Sequence, residues 1–351
     1  MRRDAFTIAF LAAATAAPAA CVPPLPAGDL AHPFDGGGPD SGKGGAAGSG
    51  ADGAAPSGSF TLVANAGRPR NLAVDSNVYW VDRHTMTLMS IPESSVGSAP
   101  SPRAHVNSRD AWVAAHDGYV YWSDGPDGTP TRIFMLALGA TQPTLIASGT
   151  DAISQIAVSS AGEGVFWVTR GGAVMRLASV GGTPTMLASG PGSGGAIAVD
   201  AASVYWTSGD SVFKIGIAGG GGPTLFANPA ASTSIAVDAT NLYWVNPMWM
   251  HALSLDGLTP DGPIMKVGID GKNSRLAFNY GYSIRGTCLA TGGARVYYGD
   301  AGGIAHVVSP AEGFEWTVGS TGAPATSIAV GTTSVFWTVE APVDSIVGAP
   351  R

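Results

Sequence analysis

A chain of 351 residues that is 45% hydrophobic and only 12% charged has material for an extensive core, and its 50 Gly and 25 Pro can serve many tight turns. A net charge of −7 with no cluster of Lys and Arg excludes a nucleic-acid-binding role. Residues 1–20 read as a targeting segment: Arg2 and Arg3, an apolar stretch from Ala5 to Ala17, then small residues before Cys21. That stretch is too short for a stable membrane span.

Ala19-Ala20-Cys21 resembles a bacterial lipoprotein signal, in which the cysteine becomes the acylated first residue of the mature protein. The resemblance makes Cys21 the lipidation residue and implies an exported protein held in the bacterial cell envelope, at the outer membrane or in the periplasm. Ordinary cleavage after Ala17-Pro18-Ala19, giving a secreted protein, remains the alternative. Residues 22–58 are Gly, Ala, Pro, Ser and Asp with little to bury, and are expected to form a disordered tether. A Gly-x-Gly-x-x-Gly match at Gly48 to Gly53 follows no strand and opens no helix, so it is chance.

From residue 59 onward one pattern recurs seven times: an apolar run, a turn, then aromatic or β-branched residues closing on Trp or Tyr. The copies begin at Asn71, Val113, Ile156, Ile197, Ile235, Leu289 and Ile328, and they close at Trp80, Trp122, Trp167, Trp206, Trp244, Tyr298 and Trp337. Their spacing of 38 to 54 residues suits a four-stranded unit of roughly 40 residues. Short apolar runs, β-branched and bounded by Gly, Asp and Asn, favour strands over helices. The expected fold is therefore all-β: a seven-bladed β-propeller of four-stranded antiparallel blades over 59–351. The seventh unit runs out after its third strand, whereas Thr61-Leu62-Val63-Ala64 matches the fourth strands Thr144-Leu145-Ile146-Ala147 and Thr185-Met186-Leu187-Ala188. The N-terminal strand should accordingly pair into the last blade and close the ring.

The Ala-Val-Asp, Tyr-Trp and Asp-Gly elements resemble the YWTD repeats of LDL-receptor-type propellers, most closely in SIAVDATNLYWVN and IMKVGIDGKNSRLA. NHL-type and virginiamycin B lyase propellers are similar in the same elements. YWTD rings usually carry six blades, and most Thr and Asp after the aromatic pair are replaced here. The resemblance implies the fold and a bias toward protein binding.

Repetition also bears on candidate sites. Asp75, Asp200 and Asp238 occupy one turn position in separate units, which suits turn capping better than a metal site. The repeated Trp suits blade-to-blade packing. Cys288, just before an apolar strand, reads as a small buried hydrophobe. Motifs for zincins, hydrolase elbows and thiol redox sites are missing. An enzyme, a metal-dependent lyase or hydrolase at the central channel, would need convergence of Asp82, His84, Asp124, Asp210, Asp300 and Glu340, which follow the aromatic strands and share one face.

The least repetitive stretch is the insertion in the fifth unit, with Met248, Trp249, Met250 and His251 in a loop, next to Tyr280, Tyr282 and Arg285 in the following connection. Both segments belong to the same face. Trp249, Met250, His251, Tyr280, Tyr282 and Arg285 are the residue types that enrich binding hot spots. The sequence thus supports a non-catalytic, monomeric propeller that uses no cofactor or metal and binds a protein or glycan partner through its loop face.

Overall fold

The computed structural model describes residues 58–159, 162–227, 234–245, 264–272, 275–278, 286–300, 304–309, 314–321, 323, 325–340 and 343–351. These form 28 strands in seven sheets of four, every neighbouring pair antiparallel, with no helix among the described residues. Each sheet is one blade, numbered in the chain order of the innermost strands Arg70–Val74, Val113–His116, Ile153–Val158, Gly194–Val199, Ile235–Val237, Gly286–Gly292 and Ala325–Val330, and within blades 1 to 6 the strands follow in chain order from the innermost to the outermost.

Blade 7 differs, as expected from the sequence. Its three C-terminal strands, Ala325–Val330, Ser334–Val339 and Ser345–Pro350, are completed by Phe60–Ala64. The pairing runs from Phe60 opposite Gly348 to Ala64 opposite Ser345. Phe60 meets Phe336 edge to face at 6.3 Å. A β-carbon at position 348 would lie 2.7 Å from the Phe60 ring, so this close approach requires glycine.

The second strand of every blade carries the closing aromatic pair, and strand alternation decides what each member meets. In Asn77–Asp82, Val78 and Trp80 pack with Leu62, Phe336 and Ile346 of blade 7, while Tyr79 and Val81 pack with Val113 and Trp122 of blade 2. In Ser203–Ser208, Trp206 faces Phe166 of blade 3 and Tyr205 faces Trp244 of blade 5. The rule holds around the ring: the last aromatic packs on the preceding blade, and the one before it packs on the next. Seven apolar clusters result, one per interface between blades. Because both faces of these strands are buried, they read as nearly continuous apolar runs rather than as alternating ones. Cys288 belongs to the cluster between blades 6 and 7, and its thiol donates to the Ala325 carbonyl at 3.7 Å.

Candidate functional site

In an antiparallel meander wound from the inside outward, the loops after the second strands and the connections between blades emerge on one face. The described part of that loop face covers blades 7, 1, 2, 3 and 4, and its geometry shows what the residues after the Trp do. In blades 2, 4 and 7 the residue directly after it supplies a hydroxyl at the innermost strand: Trp112 N donates to Ser123 Oγ at 2.9 Å, Ala196 N to Thr207 Oγ1 at 2.8 Å, and Thr326 and Thr338 share a bond of 2.7 Å; blades 1 and 3 have Val81 and Val168 there. The next residue anchors the incoming connection. Asp124 is buried and accepts from Asn107 N, Asn107 Nδ2 and Ser108 N at 2.8 to 3.2 Å. Ser208 takes the same role, exchanging bonds with Gly192 N and O.

These bonds account for most of the carboxylates that an enzymatic reading would need. Asp82 caps its own loop through His84 N and Thr85 N. Glu340 pairs with Arg70 at 2.7 Å, and Asp110 pairs with Arg83 at 3.1 Å. Asp210 lies exposed in the blade 4 loop. Among the described residues no three His, Cys, Asp or Glu side chains are grouped so as to hold a metal ion. The side chain of Asp300, the hot-spot candidates Trp249, Met250, His251, Tyr280, Tyr282 and Arg285, and Cys21 lie outside the described residues.

The turns on the opposite face bear out the capping role of the repeated aspartates. Asp75 Oδ1 accepts from Asn77 N, Asp200 Oδ1 from Ala202 N and Ser203 N, and Asp238 Oδ1 from Thr240 N and Asn241 N. The second oxygen of Asp200 or Asp238 accepts from the tyrosine of the same blade, Tyr205 or Tyr243. Burial first, and then these carboxylates, push both phenols well above the usual tyrosine range. Tyr79, beside Asp75, is likewise pushed up to about 12, chiefly by burial.

Blade 7 has Gly331 where blades 1, 4 and 5 have Asp, and Glu93 of blade 1 supplies a carboxylate to that turn. Glu93 is 6% exposed and accepts five hydrogen bonds, from N and Oγ1 of Thr332, N and Oγ1 of Thr333, and Ser334 N. A side chain at Gly331 would collide with it, with a β-carbon only 2.5 Å from Oε2. Burial on its own would raise the Glu93 carboxyl, but the Thr333 and Thr332 donors outweigh it and hold the group below its ordinary value. Sequence reasoning missed Glu93 because it follows a third strand at no repeat position. The turns of blades 2, 3 and 6 also lack that Asp, so its absence from the blade 7 turn does not point to Glu93.

A cleft of about 220 Å³ opens between blades 2 and 3. Trp167, Met175, Ile153 and Ala147 form its apolar part, with Thr131 and Asp151 among its polar residues. Trp167 is 6% exposed there, whereas Trp80, Trp206 and Trp337 are fully buried.

Fold and face together define a seven-bladed β-propeller, and solved propeller structures resemble it. U3-55K superposes with a TM-score of 0.65 at 13% identity, over 85% of this chain and 99% of that one. The WD40 repeats of RRP9 give 0.64 at 11%, over 84% and 98%. YCF48, solved bound to a D1 peptide, gives 0.59 at 13%, over 84% and 96%. No protein-family model and no curated sequence matches the chain.

Proposed function

We propose that this chain is a non-catalytic binding module: an exported propeller of the YWTD-like type, tethered to the bacterial envelope through Cys21, whose loop face engages a protein partner. The observation that carries the reading is the employment of the loop-face carboxylates. Asp82, Asp124 and Glu340 are each committed to a backbone cap or an ion pair, so the face is a supported display surface instead of an acid–base centre. YCF48, a propeller of similar fold, was solved with a peptide bound, which favours a polypeptide over a glycan as the partner here. Trp249 and Tyr282 are the proposed anchors.

The test is affinity capture from envelope extract with residues 59–351, comparing the wild type with a folded Trp249→Ala/Tyr282→Ala variant. Loss of a hot-spot aromatic commonly costs at least about 2 kcal/mol, roughly thirtyfold in affinity. Equal capture by both proteins would sink the proposed anchors. Tethering is tested separately: labelled palmitate should enter the full chain in a bacterial host, and not its Cys21→Ala variant.

A further inference from the structure

The connection from blade 7 into blade 1, Asn65 to Pro69, and the start of the strand that follows it have an unusual backbone. Asn65, Gly67, Arg68 and Asn71 all have φ between 55° and 72°. Left-handed geometry is costly for residues other than glycine, and a residue before proline is steered toward extended conformations, so Arg68, followed by Pro69, is doubly disfavoured. Strain of this kind persists where surroundings impose it, and it concentrates at ligand-binding positions. The surroundings here are specific. Ala66 N donates to Asp344 O, Trp80 Nε1 to Ala66 O, and Arg83 N to Gly67 O, at 2.7 to 3.1 Å.

The outcome is an exposed arginine on a pinned loop. Arg68 has no side-chain partner among the described residues. Arg83 lies alongside and reaches Asp110, whose neighbour Arg109 is exposed and likewise has no side-chain partner among the described residues. The loop carrying Arg109 is held by Asp124 through Asn107 and Ser108. His84 is exposed beside Arg83. Two nearby acids are ion-paired, Asp110 with Arg83 and Glu340 with Arg70, while Asp82, whose carboxylate lies against Gly67, caps backbone N–H groups and keeps its charge. Asp344, whose carbonyl accepts from Ala66 N, borders the group on the blade 7 side, and Asp127 precedes Gly128, which lies against Asn107 on the blade 2 side. A chain of net charge −7 thus displays a basic centre with acidic borders over blade 1.

We propose that Arg68 and Arg109, supported by Arg83, form a docking site for a short acidic polypeptide segment of the partner. This rests on the binding-module reading and specifies the partner's chemistry. The guanidinium fork matches a carboxylate in two-bond geometry, and fixing both loops in advance lowers the ordering cost of association. Acidic borders select against extended polyanions and for a compact acidic motif.

The experiment measures binding of three fluorescent probes to residues 59–351: a Gly-flanked Glu-Asp-Glu-Glu peptide, its Lys counterpart and an oligogalacturonate. The acidic peptide should bind, weaken as salt rises, and bind roughly tenfold less tightly to Arg68→Gly/Arg109→Ala. The Lys peptide should not bind. Glycine suits the left-handed position, so the variant should melt no lower than the wild type. Equal affinity for wild type and variant, or tighter binding of oligogalacturonate than of the peptide, would overturn the proposal. If envelope extract yields a partner that this variant retains in full, the module reading stands and the acidic site falls.

Discussion

Two interfaces of the same ring are built in different ways. Between blades 7 and 1, polar bonds join residues 239 to 270 positions apart: Glu93 to the blade 7 turn, Leu72 N to Ser327 Oγ, and Arg70 to Glu340. Between blades 2 and 3, the cleft beside Trp167 leaves the apolar packing incomplete, and backbone bonds such as Ile153 N to Pro130 O hold the short connection. Loop-closure entropy explains the contrast. Blade 2 leads directly into blade 3, whereas blade 1 is tied by a short connection only to the outermost strand of blade 7, so the three C-terminal strands of that blade, distant in sequence, must be held to blade 1 by contacts. The site that departs most from the repeat, Glu93, lies at that joint.

The largest test of this contrast removes the closing strand. Deleting residues 59–66 exposes the Ser345–Pro350 edge and loses the burial of Leu62 and Val63, worth about 1.5 to 3 kcal/mol each. We expect loss of the cooperative thermal transition followed by circular dichroism, and an unchanged melt would refute ring closure by this strand.

Next in size are the two indoles. Trp80→Ala should cost about 4 kcal/mol, because it empties a fully packed site and leaves the Ala66 carbonyl without its donor. Trp167→Ala, already beside a cleft, should cost roughly 1 kcal/mol less. Equal losses in urea unfolding would mean that the two interfaces are packed alike.

Glu93→Gln should cost about 2 kcal/mol, since a neutral amide accepts more weakly and places an NH2 among donors. The effect must depend on pH in one direction. With the folded carboxyl below its unfolded value, its stabilisation is present above the unfolded pKa and is lost as pH falls through the folded one. Wild type and Glu93→Gln should therefore differ in melting temperature at neutral pH and converge in acid. A constant gap would show that the charge of Glu93 is not what stabilises the turn.

The smallest effect belongs to Glu340→Gln. Arg70 and Glu340 are 18% and 27% exposed at the side chain, so screening leaves about 0.5 to 1 kcal/mol. That loss should shrink in high salt, and a salt-insensitive loss would point to packing instead of charge.

Repetition made the blade count, the strand order, the closing strand and the capping aspartates legible. Each rests on local patterning: apolar runs, Asp at a turn, Trp at one strand position. The recurrence of Trp at one strand position also implied its place between blades, where Trp80 lies. What remained illegible depends on residues far apart in the chain. Arg68, Arg83 and Arg109 are scattered along the sequence, and no short motif marks them as one surface. Asp124 stood in the sequence among the loop groups that an enzyme at the channel would need, but it is buried and bonded to Asn107 and Ser108.

By itself, then, the amino-acid sequence determined the units and the way they close, because strand formation and turn capping follow from neighbours a few residues away. Only the tertiary structure decided that Glu93 supplies a carboxylate to the Gly331 turn, that Trp167 borders a cleft, and that Arg68 and Arg109 stand over blade 1 without ionic partners among the described residues. All three outcomes depend on which side chains meet across blades once the ring has closed; hydrogen-bond and charge complementarity at such distances leave no periodic trace in the chain.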